Sequence, residues 1–332
     1  MKSVFIVQPA GVLRREGARI VVQAGHEVRA RVPTEELEHL VVAGDLTLTP
    51  AVIDLLAERG VDTVLLTRHG RFRARVGRGA SGNVTLRLAQ YRVVVESEGL
   101  PLARALVTAK VGNQRALLLR HARRRSEPML DSAARAMNAC LTQVGFAETA
   151  DELRGIEGAA ASAYFRSFSH LIDDAAFHFE KRSRRPPLDP VNALLSLGYT
   201  ALLERVRGAV ETVGLDPELG VLHAPQANRP SLVLDLMEEF RTPLVDALVV
   251  AALNLGAVGR EHFEDAGDGE PVVIRPEGLR RFFQLFGRRL ERRVRPSGSE
   301  ERVTFRMLML RQAQAAARWF AKRETYQGYT VR

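Results

Sequence analysis

The feature that most restricts the fold of this chain is a change in its hydrophobic pattern near residue 78. Before that point, apolar residues occur in short segments bounded by glycines, a pattern typical of β-strands. After it, they recur at the spacing of one helical face almost to the C-terminus. The pattern predicts an α+β fold, with a small N-terminal β-sheet domain over residues 1–78, a linker and first helix over 79–95, and a larger all-α C-terminal domain over 96–332. With 332 residues, 46% of them hydrophobic, the chain is long enough to bury both cores.

Short β segments make up most of the first part. They are predicted at 3–7, 12–15, 19–22, 28–32, 63–66 and 72–76. One helix interrupts them, with Thr49 as its N-cap, Pro50 in its first turn and Gly60 after its end. Its apolar stripe consists of Val52, Leu55 and Leu56. We expect this helix to cover one face of the sheet.

A glycine-rich stretch, Gly77–Gly82, separates the two patterns and is interpreted as a flexible linker. Its spacing, G-x-G-x-x-G after a strand, is also that of a dinucleotide-binding turn, and Glu96 and Glu98 follow roughly where a ribose-binding acid would stand. That interval is too short for both a crossover helix and a second strand. A dinucleotide site is therefore not favoured.

The charge of the chain favours a polyanionic partner. There are 48 Lys plus Arg against 39 Asp plus Glu, a net charge of +9. The stretch Arg275–Arg332 alone holds 15 basic and 5 acidic residues, a balance of +10. Of the basic residues 44 are arginines, whose planar guanidinium binds phosphate oxygens in pairs. A nucleic acid fits these features, although a GC-rich genome or a solvated helical surface would give the same composition.

The single cysteine, Cys140, lies in a run with helical spacing. It provides neither a disulfide framework nor a thiolate metal cluster, and a cytoplasmic location is expected. Gln8 and Pro9 interrupt the N-terminal apolar run too early for a signal peptide. The longest apolar run, 247–258, contains Asn254 and is too short to span a membrane.

His170, Asp174 and His178 recur at i, i+4 and i+8, which would place three potential metal ligands on one helical face. Phe177 and Phe179 alternate with them, and a basic run follows directly. The sequence favours a solvated or DNA-facing surface here over a metal site. The arginines of this run that we expect to contact nucleic acid are Arg182, Arg184 and Arg185.

A second candidate site begins with Glu157 in the segment RGIEGAAASAYF. The small residues that follow, Gly158–Ala161, would let another backbone or a substrate come close. Tyr164, seven residues on, shares the face of Glu157. A lone glutamate on a helix is more often a surface residue than a catalytic one, so Glu157 needs support from elsewhere.

That support comes from the segment LGVLHAPQANRPSLVLDLMEEFR, where His223 ends a short apolar stretch and Ser231 is predicted to cap a helix. On this helix Asp235 and Glu238 lie three residues apart, within about 60° of each other on one face. Arg241, another turn on, would neutralise or orient them. Adjacent carboxylates are unfavourable unless a cation lies between them, which predicts Mg²⁺ or Mn²⁺. One imidazole among carboxylates favours manganese without excluding magnesium.

Several long motifs point to one known family. In chain order they are GNVTLRLAQY from Gly82, AKVGNQRALL from Ala109, GIEG followed by AAxxYF, RRPPLDPVNALLSLGYTALL, GVLH and RPSLVLDLMEEFR. Together they resemble the CRISPR-associated spacer-acquisition integrase, the family usually called Cas-one. The motifs are long, stand in the family's order and cover most of the chain.

The resemblance implies a fold and a site. The fold is an N-terminal β domain followed by a larger helical catalytic domain. The metal would be held by Glu157, His223 and Glu238, with Asp235 as a neighbouring acid that is also needed for activity. Position 238 is Glu where some relatives carry Asp, a change expected to alter the reach of the side chain but keep ligation.

The function that the resemblance implies is a metal-dependent DNA endonuclease and integrase of CRISPR adaptation, which inserts short foreign DNA as new spacers at the CRISPR repeat. The 3′ hydroxyl of the captured DNA would attack a phosphodiester at the repeat edge, without a covalent enzyme intermediate. The implied partners are double-stranded DNA, as prespacer and CRISPR repeat, a second copy of the chain in a homodimer, and a dimer of the small Cas-two protein.

Further arginines are expected to contact DNA phosphates because of the charge excess near the C-terminus. They are Arg241, Arg288, Arg289, Arg292 and Arg293. Two alternative functions stay open. One is a general metal-dependent nuclease without an integration role. The other is a noncatalytic DNA-binding scaffold, in which the acids merely pair with Arg154 and Arg241.

Overall fold

The structure, a computed structural model, describes residues 2–77, 83–264, 267, 269–296 and 299–331. Of the predicted linker Gly77–Gly82, and of the G-x-G-x-x-G pattern within it, only Gly77 belongs to this part of the chain.

A six-stranded mixed sheet forms the N-terminal part. Its strands are β1 (Lys2–Glu16), β2 (Arg19–Ala24), β3 (Glu27–Pro33), β4 (Leu37–Leu48), β5 (Asp62–Leu66) and β6 (Phe72–Val76). Their spatial order is β3-β2-β1-β4-β5-β6, and the pairs β1–β4 and β4–β5 are parallel. Parallel neighbours need a crossover connection, and helix α1 (Pro50–Arg59) supplies it between β4 and β5.

The sheet differs from the prediction in two places. The segments predicted at 3–7 and 12–15 are one strand, because Gln8 and Pro9 form a bulge instead of a break. Gly44, at φ 133°, makes room for this bulge, since a Cβ there would lie 1.7 Å from the Gln8 carbonyl oxygen. The sequence pattern does not predict β4. This central strand is buried on both faces, so it shows a continuous apolar run instead of alternation.

Helix α1 covers one face of the sheet, as predicted. Its three stripe residues are buried together with apolar residues of β1, β2 and β4. The helix ends where Gly60 adopts the left-handed conformation, at φ 65°. Thr49 occupies the N-cap position, but its hydroxyl donates to the Leu13 carbonyl oxygen instead of capping the helix.

The rest of the chain is mostly helical, which confirms the predicted fold class. The helices are α2 (Val84–Val95), α3 (Leu100–Arg125), α4 (Pro128–Val144), α5 (Ala150–Ser167), α6 (Pro190–Val213), α7 (Ser231–Phe240), α8 (Ala247–Asn254), α9 (Pro276–Glu291) and α10 (Phe305–Lys322). A short hairpin, β7 (Arg293–Val294) and β8 (Val303–Thr304), precedes α10. None of the described helices is long and apolar enough to cross a membrane.

The second face of the sheet packs against these helices. Val41 and Ala43 of β4 belong to the same hydrophobic core as the helical residues. Phe5 of β1 stacks on Phe283 of α9, with 5.1 Å between the ring centroids. Sheet and helices therefore share one core, and the division into residues 1–78, 79–95 and 96–332 stays a prediction about domains.

Between α7 and α8 the helix widens into a π-helical segment, Arg241–Asp246. Pro243 lies within it and has no N–H to donate to the carbonyl four residues back, that of Glu239. Asn113 of α3 replaces that donor, since its side-chain amide donates to the Glu239 carbonyl oxygen at 2.8 Å. The same amide donates to the Tyr329 carbonyl oxygen. One side chain thus joins α3, α7 and the C-terminal segment.

Helix α2 carries an exposed apolar stripe. Val84, Leu88, Tyr91 and Val95 recur at the spacing of one helical face and are between 58% and 67% exposed. No described residue covers them. A contiguous exposed apolar stripe of this kind marks an interaction surface.

Candidate metal and nucleic-acid site

The predicted histidine and Asp235 meet where a loop returns to helix α7. Asp235 is fully buried and accepts hydrogen bonds from three successive loop amides, those of Val221, Leu222 and His223, at 2.6 to 2.9 Å. Gly220 permits this approach, because a Cβ there would lie 2.8 Å from the Asp235 carboxylate. Asp235 therefore fixes the loop that carries His223.

The same carboxylate orients the imidazole. His223 Nδ1 lies 2.7 Å from Asp235 Oδ1. An ionised carboxylate only accepts hydrogen bonds, so this contact directs a proton to Nδ1 and leaves Nε2 as the ring nitrogen open to a ligand. A metal-ligating histidine is usually held in this way by a carboxylate. The His223 side chain is 24% exposed, which leaves it within reach of a ligand from solvent.

The other two predicted ligands share a lysine. Lys110 of α3 places its ammonium between Glu157 of α5 and Glu238 of α7, with Nζ 2.5 Å from Glu238 Oε2. Arg241 contacts the second oxygen of Glu238, at 3.0 Å from Nε to Oε1. Glu238 is buried and Glu157 is partly exposed. Glu238 thus forms the bottom of the site and Glu157 its open side.

These cations set the charge of Glu238. Burial by itself raises the pKa of this carboxyl group, but Arg241 and Lys110 outweigh burial and lower the Glu238 pKa to about 2. His223 is near enough to contribute to the same lowering. Glu238 is thus near both of the other predicted ligands, since it shares Lys110 with Glu157 and lies within electrostatic reach of His223.

The donor atoms fit Mg²⁺ or Mn²⁺, since they are carboxylate oxygens of Glu157 and Glu238 and an imidazole nitrogen of His223. The Lys110 ammonium contacts the buried Glu238 Oε2 and occupies the position beside it that a metal ion would take. Within the described residues, no three His, Cys, Asp or Glu side chains are close enough together to enclose a metal. The Lys110 ammonium stands between the two glutamates and would have to move aside for both to bind one ion.

The position of the cation differs from the prediction. The spacing of Asp235 and Glu238 predicts a cation between these two acids, whereas the structure places Lys110 between Glu157 and Glu238. Asp235 already accepts from three amides and one imidazole, so it needs no further cation. Ser231 also differs, because the helix begins at Ser231 itself and its hydroxyl donates to a loop carbonyl at 3.0 Å instead of capping.

The surface of α5 beside Glu157 is open. Gly158 and Ala159 are exposed, and nothing lies within 4 Å of the place where a Cβ of Gly158 would be. This leaves the space that the small residues predict for a substrate. Tyr164 points the other way, into the core, where its hydroxyl donates to Asp246 at 2.9 Å.

Two of the predicted DNA-contacting arginines are half-buried and held by other side chains. The Arg182 guanidinium donates to Asn192 and Ser196 at 2.6 and 3.0 Å. Arg182 and Arg241 both lie over the Tyr199 ring, 5.5 and 4.6 Å from its centroid. Their guanidinium groups are thus held by protein partners, and contact with DNA stays a prediction for both.

The remaining predicted arginines lie nearer the surface. Arg289 is half-buried and donates through two nitrogens to the Pro243 carbonyl oxygen, at 3.0 and 2.7 Å. The others are exposed: Arg184, Arg185, Arg288, Arg292 and Arg293. Their position fits contact with a DNA backbone, which also stays a prediction.

His170, Asp174 and His178 do not share a helical face. Helix α5 ends at Ser167, and after one 3-10 turn the chain is irregular up to residue 189. Asp174 and His178 are exposed, and Phe177 and Phe179, which alternate with His178, are buried.

Lys110 is the main residue of the site that the sequence patterns do not single out. It is one of only four lysines in the chain and is 8% exposed. Lysines are almost never buried without an acidic partner. A lysine within the helical run AKVGNQRALL, surrounded by positions that the helical spacing places in the core, is the signal that would have identified it.

Comparisons with known proteins identify the family of this chain. The sequence model of the family described as CRISPR associated protein Cas1 matches residues 4–288. CRISPR-associated endonuclease Cas1 2 of Rhodospirillum rubrum is 39% identical over 328 residues, covering 96% of this chain and 94% of that protein. CRISPR-associated endonuclease Cas1 1 of Chlorobaculum tepidum is 34% identical over 326 residues, covering 96% of this chain and 95% of that one.

Solved structures share the fold. A Cas1 protein from Thermotoga maritima superposes with a TM-score of 0.84 at 25% identity, covering 98% of this chain and 99% of that one. A casposase bound to its integration product superposes with a TM-score of 0.86 at 23% identity, covering 99% and 93%. With a family match over most of its length and relatives above 30% identity along nearly the whole of theirs, the chain belongs to the Cas1 family of CRISPR-associated proteins.

Proposed function

We propose that this protein is a divalent-metal-dependent DNA endonuclease and integrase of CRISPR adaptation, which joins short foreign DNA to the CRISPR repeat by transesterification. A nuclease role in CRISPR adaptation follows from the family and from relatives named as endonucleases. The observation that supports the metal-dependent chemistry is that Glu157 and Glu238 share one cation beside an exposed strip of small residues, with His223 within electrostatic reach of Glu238.

In this proposal Glu157, Glu238 and Nε2 of His223 hold the metal. When bound, a divalent ion polarises a phosphodiester and stabilises the charge that develops on it. Arg241 keeps Glu238 ionised, and Asp235 keeps His223 in the tautomer that leaves Nε2 free. Lys110 neutralises the two glutamates before a metal binds.

The nucleophile is supplied by the DNA. The oxygen of a 3′ hydroxyl attacks phosphorus at the repeat edge, and the bridging oxygen of the repeat strand leaves and takes up a proton as a new 3′ hydroxyl. One phosphodiester forms as another breaks, so no outside energy source is needed. With water in place of the hydroxyl, the same site cuts DNA.

Substitution of the ligands tests this function. Glu157→Ala or His223→Ala should abolish strand transfer while DNA affinity stays within about threefold, since phosphate contacts, which supply most of the affinity, reside on other residues. Glu180→Ala, which removes an exposed glutamate, is the matched control. Full strand transfer in either ligand variant would remove the metal hypothesis.

A general nuclease without an integration role is the first alternative. The two functions are separated by supplying repeat DNA, a short duplex and the small Cas2 partner, then resolving joined from cut products on a denaturing gel. Cutting without joining under all of these conditions supports the alternative.

A noncatalytic scaffold is the second alternative, because Lys110 and Arg241 already neutralise the acids without a metal. Calorimetric titration with Mn²⁺ distinguishes it. The proposed enzyme binds Mn²⁺ and Glu238→Ala loses this binding, whereas a scaffold shows no difference between the two proteins.

The proposed macromolecular partners are double-stranded DNA, Cas2 and a second copy of the chain. Solved assemblies with this fold include a Cas6-RT-Cas1–Cas2 complex and a Cas1–DNA complex. The exposed stripe on α2 supports self-association. Leu88→Arg should shift the mass in solution from dimer to monomer, and Leu255→Arg, at an isolated exposed leucine, should not. A dimer that persists in Leu88→Arg excludes this stripe as the interface.

A further inference from the structure

A cleft separate from the proposed metal site lies beside the π-helical segment. It has an empty volume of about 450 Å³, part of it open to solvent, and is lined by α3, the π-helical segment, α9 and the C-terminal segment. Its polar lining residues are Asn113, Arg120, Thr242, Arg289, Arg292 and Tyr329. The proposed metal chemistry assigns no role to this cleft.

Among the residues that the structure describes, three guanidinium groups and no carboxylate line the cleft. Two hydrogen bonds to the Pro243 carbonyl fix Arg289 in the wall. Within the described residues, no acidic side chain pairs with Arg120 or Arg292, and both are exposed. Burial and then the charges of Arg292 and Arg120 lower the pKa of Arg289 to about 10, so it is still a cation at neutral pH. Three cations this close together repel one another unless an anion lies between them. The cleft is therefore an anion-binding site.

Helix α3 connects this cleft with the proposed metal site. Lys110, Asn113, Leu117 and Arg120 follow at steps of three and four residues and so lie along one face. From Lys110 to Arg120 the helix rises about 15 Å, at 1.5 Å per residue. Because one strand of a DNA duplex advances about 3.4 Å per nucleotide along the axis, this rise corresponds to about four or five nucleotides.

We propose that the cleft holds one backbone phosphate of the DNA strand that enters the metal site, about four or five nucleotides from the reacting phosphodiester. The identity of the ligand rests on the proposed function. Arg120 and Arg292 grip the phosphate from the open side, and Arg289 closes the back of the cleft. A strand held at this second point presents its reacting phosphate to Glu157 and His223 in a fixed register.

The experiment uses the full chain and DNA duplexes with a methylphosphonate at one position, which removes the charge of a single phosphate. Binding is measured by fluorescence anisotropy without divalent metal, so that no strand is cut. For the wild type, neutralising the phosphate four or five nucleotides from the reacting position should weaken binding about tenfold, the usual effect of losing one charged hydrogen bond. Neutralising a phosphate at a neighbouring position should weaken binding less.

The double variant Arg120→Gln/Arg292→Gln should bind unmodified DNA about tenfold more weakly and show no further loss from that methylphosphonate, because the contact is already gone. Arg14→Gln/Arg59→Gln removes the same charge from exposed positions on the N-terminal sheet and α1, and should keep the position-dependent loss. Thermal unfolding of both variants confirms that they fold.

Three results overturn the assignment. One is a position-dependent loss that survives in the cleft variant, and another is a wild type without any such position. The third is that the Arg120→Gln/Arg292→Gln variant binds DNA normally but, unlike the wild type, is not stabilised against thermal unfolding by inorganic phosphate. That result would assign the cleft to free phosphate. A wild-type protein that binds no DNA would contradict the proposed function as well. A wild-type protein that binds and cuts DNA normally, but has no methylphosphonate-sensitive position, would contradict only the role proposed for the cleft.

Discussion

Two adjacent glutamates of α7 lie in opposite electrical surroundings. Glu238 faces Lys110 and Arg241, and these cations lower its pKa to about 2 despite burial. Glu239 faces α10 and the C-terminal segment, where it accepts from three neutral donors at 2.5 to 2.9 Å. Burial raises the pKa of Glu239 to about 7, and the neutral donors offset burial only in part.

Both side chains are almost completely buried, so burial does not decide which of them is ionised. The charges of the neighbouring groups decide it. The Glu238 side of α7 keeps the negative charge that the proposed metal site needs, while the Glu239 side closes the core and holds the C-terminal segment in place. Four substitutions on these two sides test whether this division of roles holds.

The largest difference is expected from replacing each glutamate in turn. Glu238→Gln should lower DNA cutting and joining on the order of 10³-fold, because it removes a proposed metal ligand and about 4 kcal/mol of transition-state stabilisation. Glu239→Gln should leave both rates within about threefold, since Glu239 faces away from the site. Single-turnover rates of the two variants measure the contrast. Equal losses would show that the two sides do not differ in function.

The second effect concerns stability without metal. Lys110→Met should lower the free energy of unfolding by about 3–5 kcal/mol, because it leaves the buried Glu238 and its neighbour Glu157 without their shared cation. Added Mn²⁺ should restore more stability to this variant than to the wild type, since it supplies the missing charge. Urea unfolding measures both. Lys181→Met, at an exposed lysine, is the control and should change stability by less than about 0.5 kcal/mol.

The third effect is a pH dependence on the Glu239 side. The folded pKa of Glu239, about 7, lies above its usual value of 4.5, so the folded state binds this proton more tightly. The resulting stability is present below pH 4.5 and is lost as the pH rises through 7, on the order of 3 kcal/mol in all. Unfolding free energies at pH 5 and pH 8 should therefore differ less in Glu239→Gln than in the wild type. An unchanged difference contradicts the assignment.

The smallest effect is expected at Asp235. Asp235→Asn replaces one acceptor oxygen with an N–H₂ group and lets His223 adopt the other tautomer, so Mn²⁺ affinity should fall about 10- to 100-fold. Calorimetric titration measures this loss. Asp54→Asn, at an exposed aspartate, should bind Mn²⁺ like the wild type.

The sequence predicts those helices and strands in which apolar residues recur at a regular spacing. Helix α1 has a proline in its first turn, an apolar stripe and a terminal glycine, and each is found where expected. Strand β4 cannot be read in this way, because a strand buried on both faces loses the alternation that identifies strands. Gln8 and Pro9 look like a break in β1, since the matching Gly44 that accommodates the bulge lies 35 residues further along.

The site is predicted only in part for a related reason. The motifs identify Glu157, His223 and Glu238 as candidates, but spacing along α7 cannot show that Asp235 turns to the loop while Glu238 turns to α3. The partner that separates them, Lys110, lies 128 residues before Glu238 and meets it only in the folded chain. Local patterns report which face of a helix is apolar, and they do not report which charged groups the fold brings opposite it.

The π-helical segment also constrains how the length of this chain can change. A π-helical turn accommodates more residues than an α-helical turn, so loss of one residue between Arg241 and Asp246 would restore a regular helix and leave the faces beyond it nearly where they are. Leu248 and Val249 of α8 would therefore stay in the core. Loss of one residue within a regular α-helix would instead rotate everything beyond it by about 100°. A single deletion is thus easier to absorb in this segment than in the regular helices on either side of it.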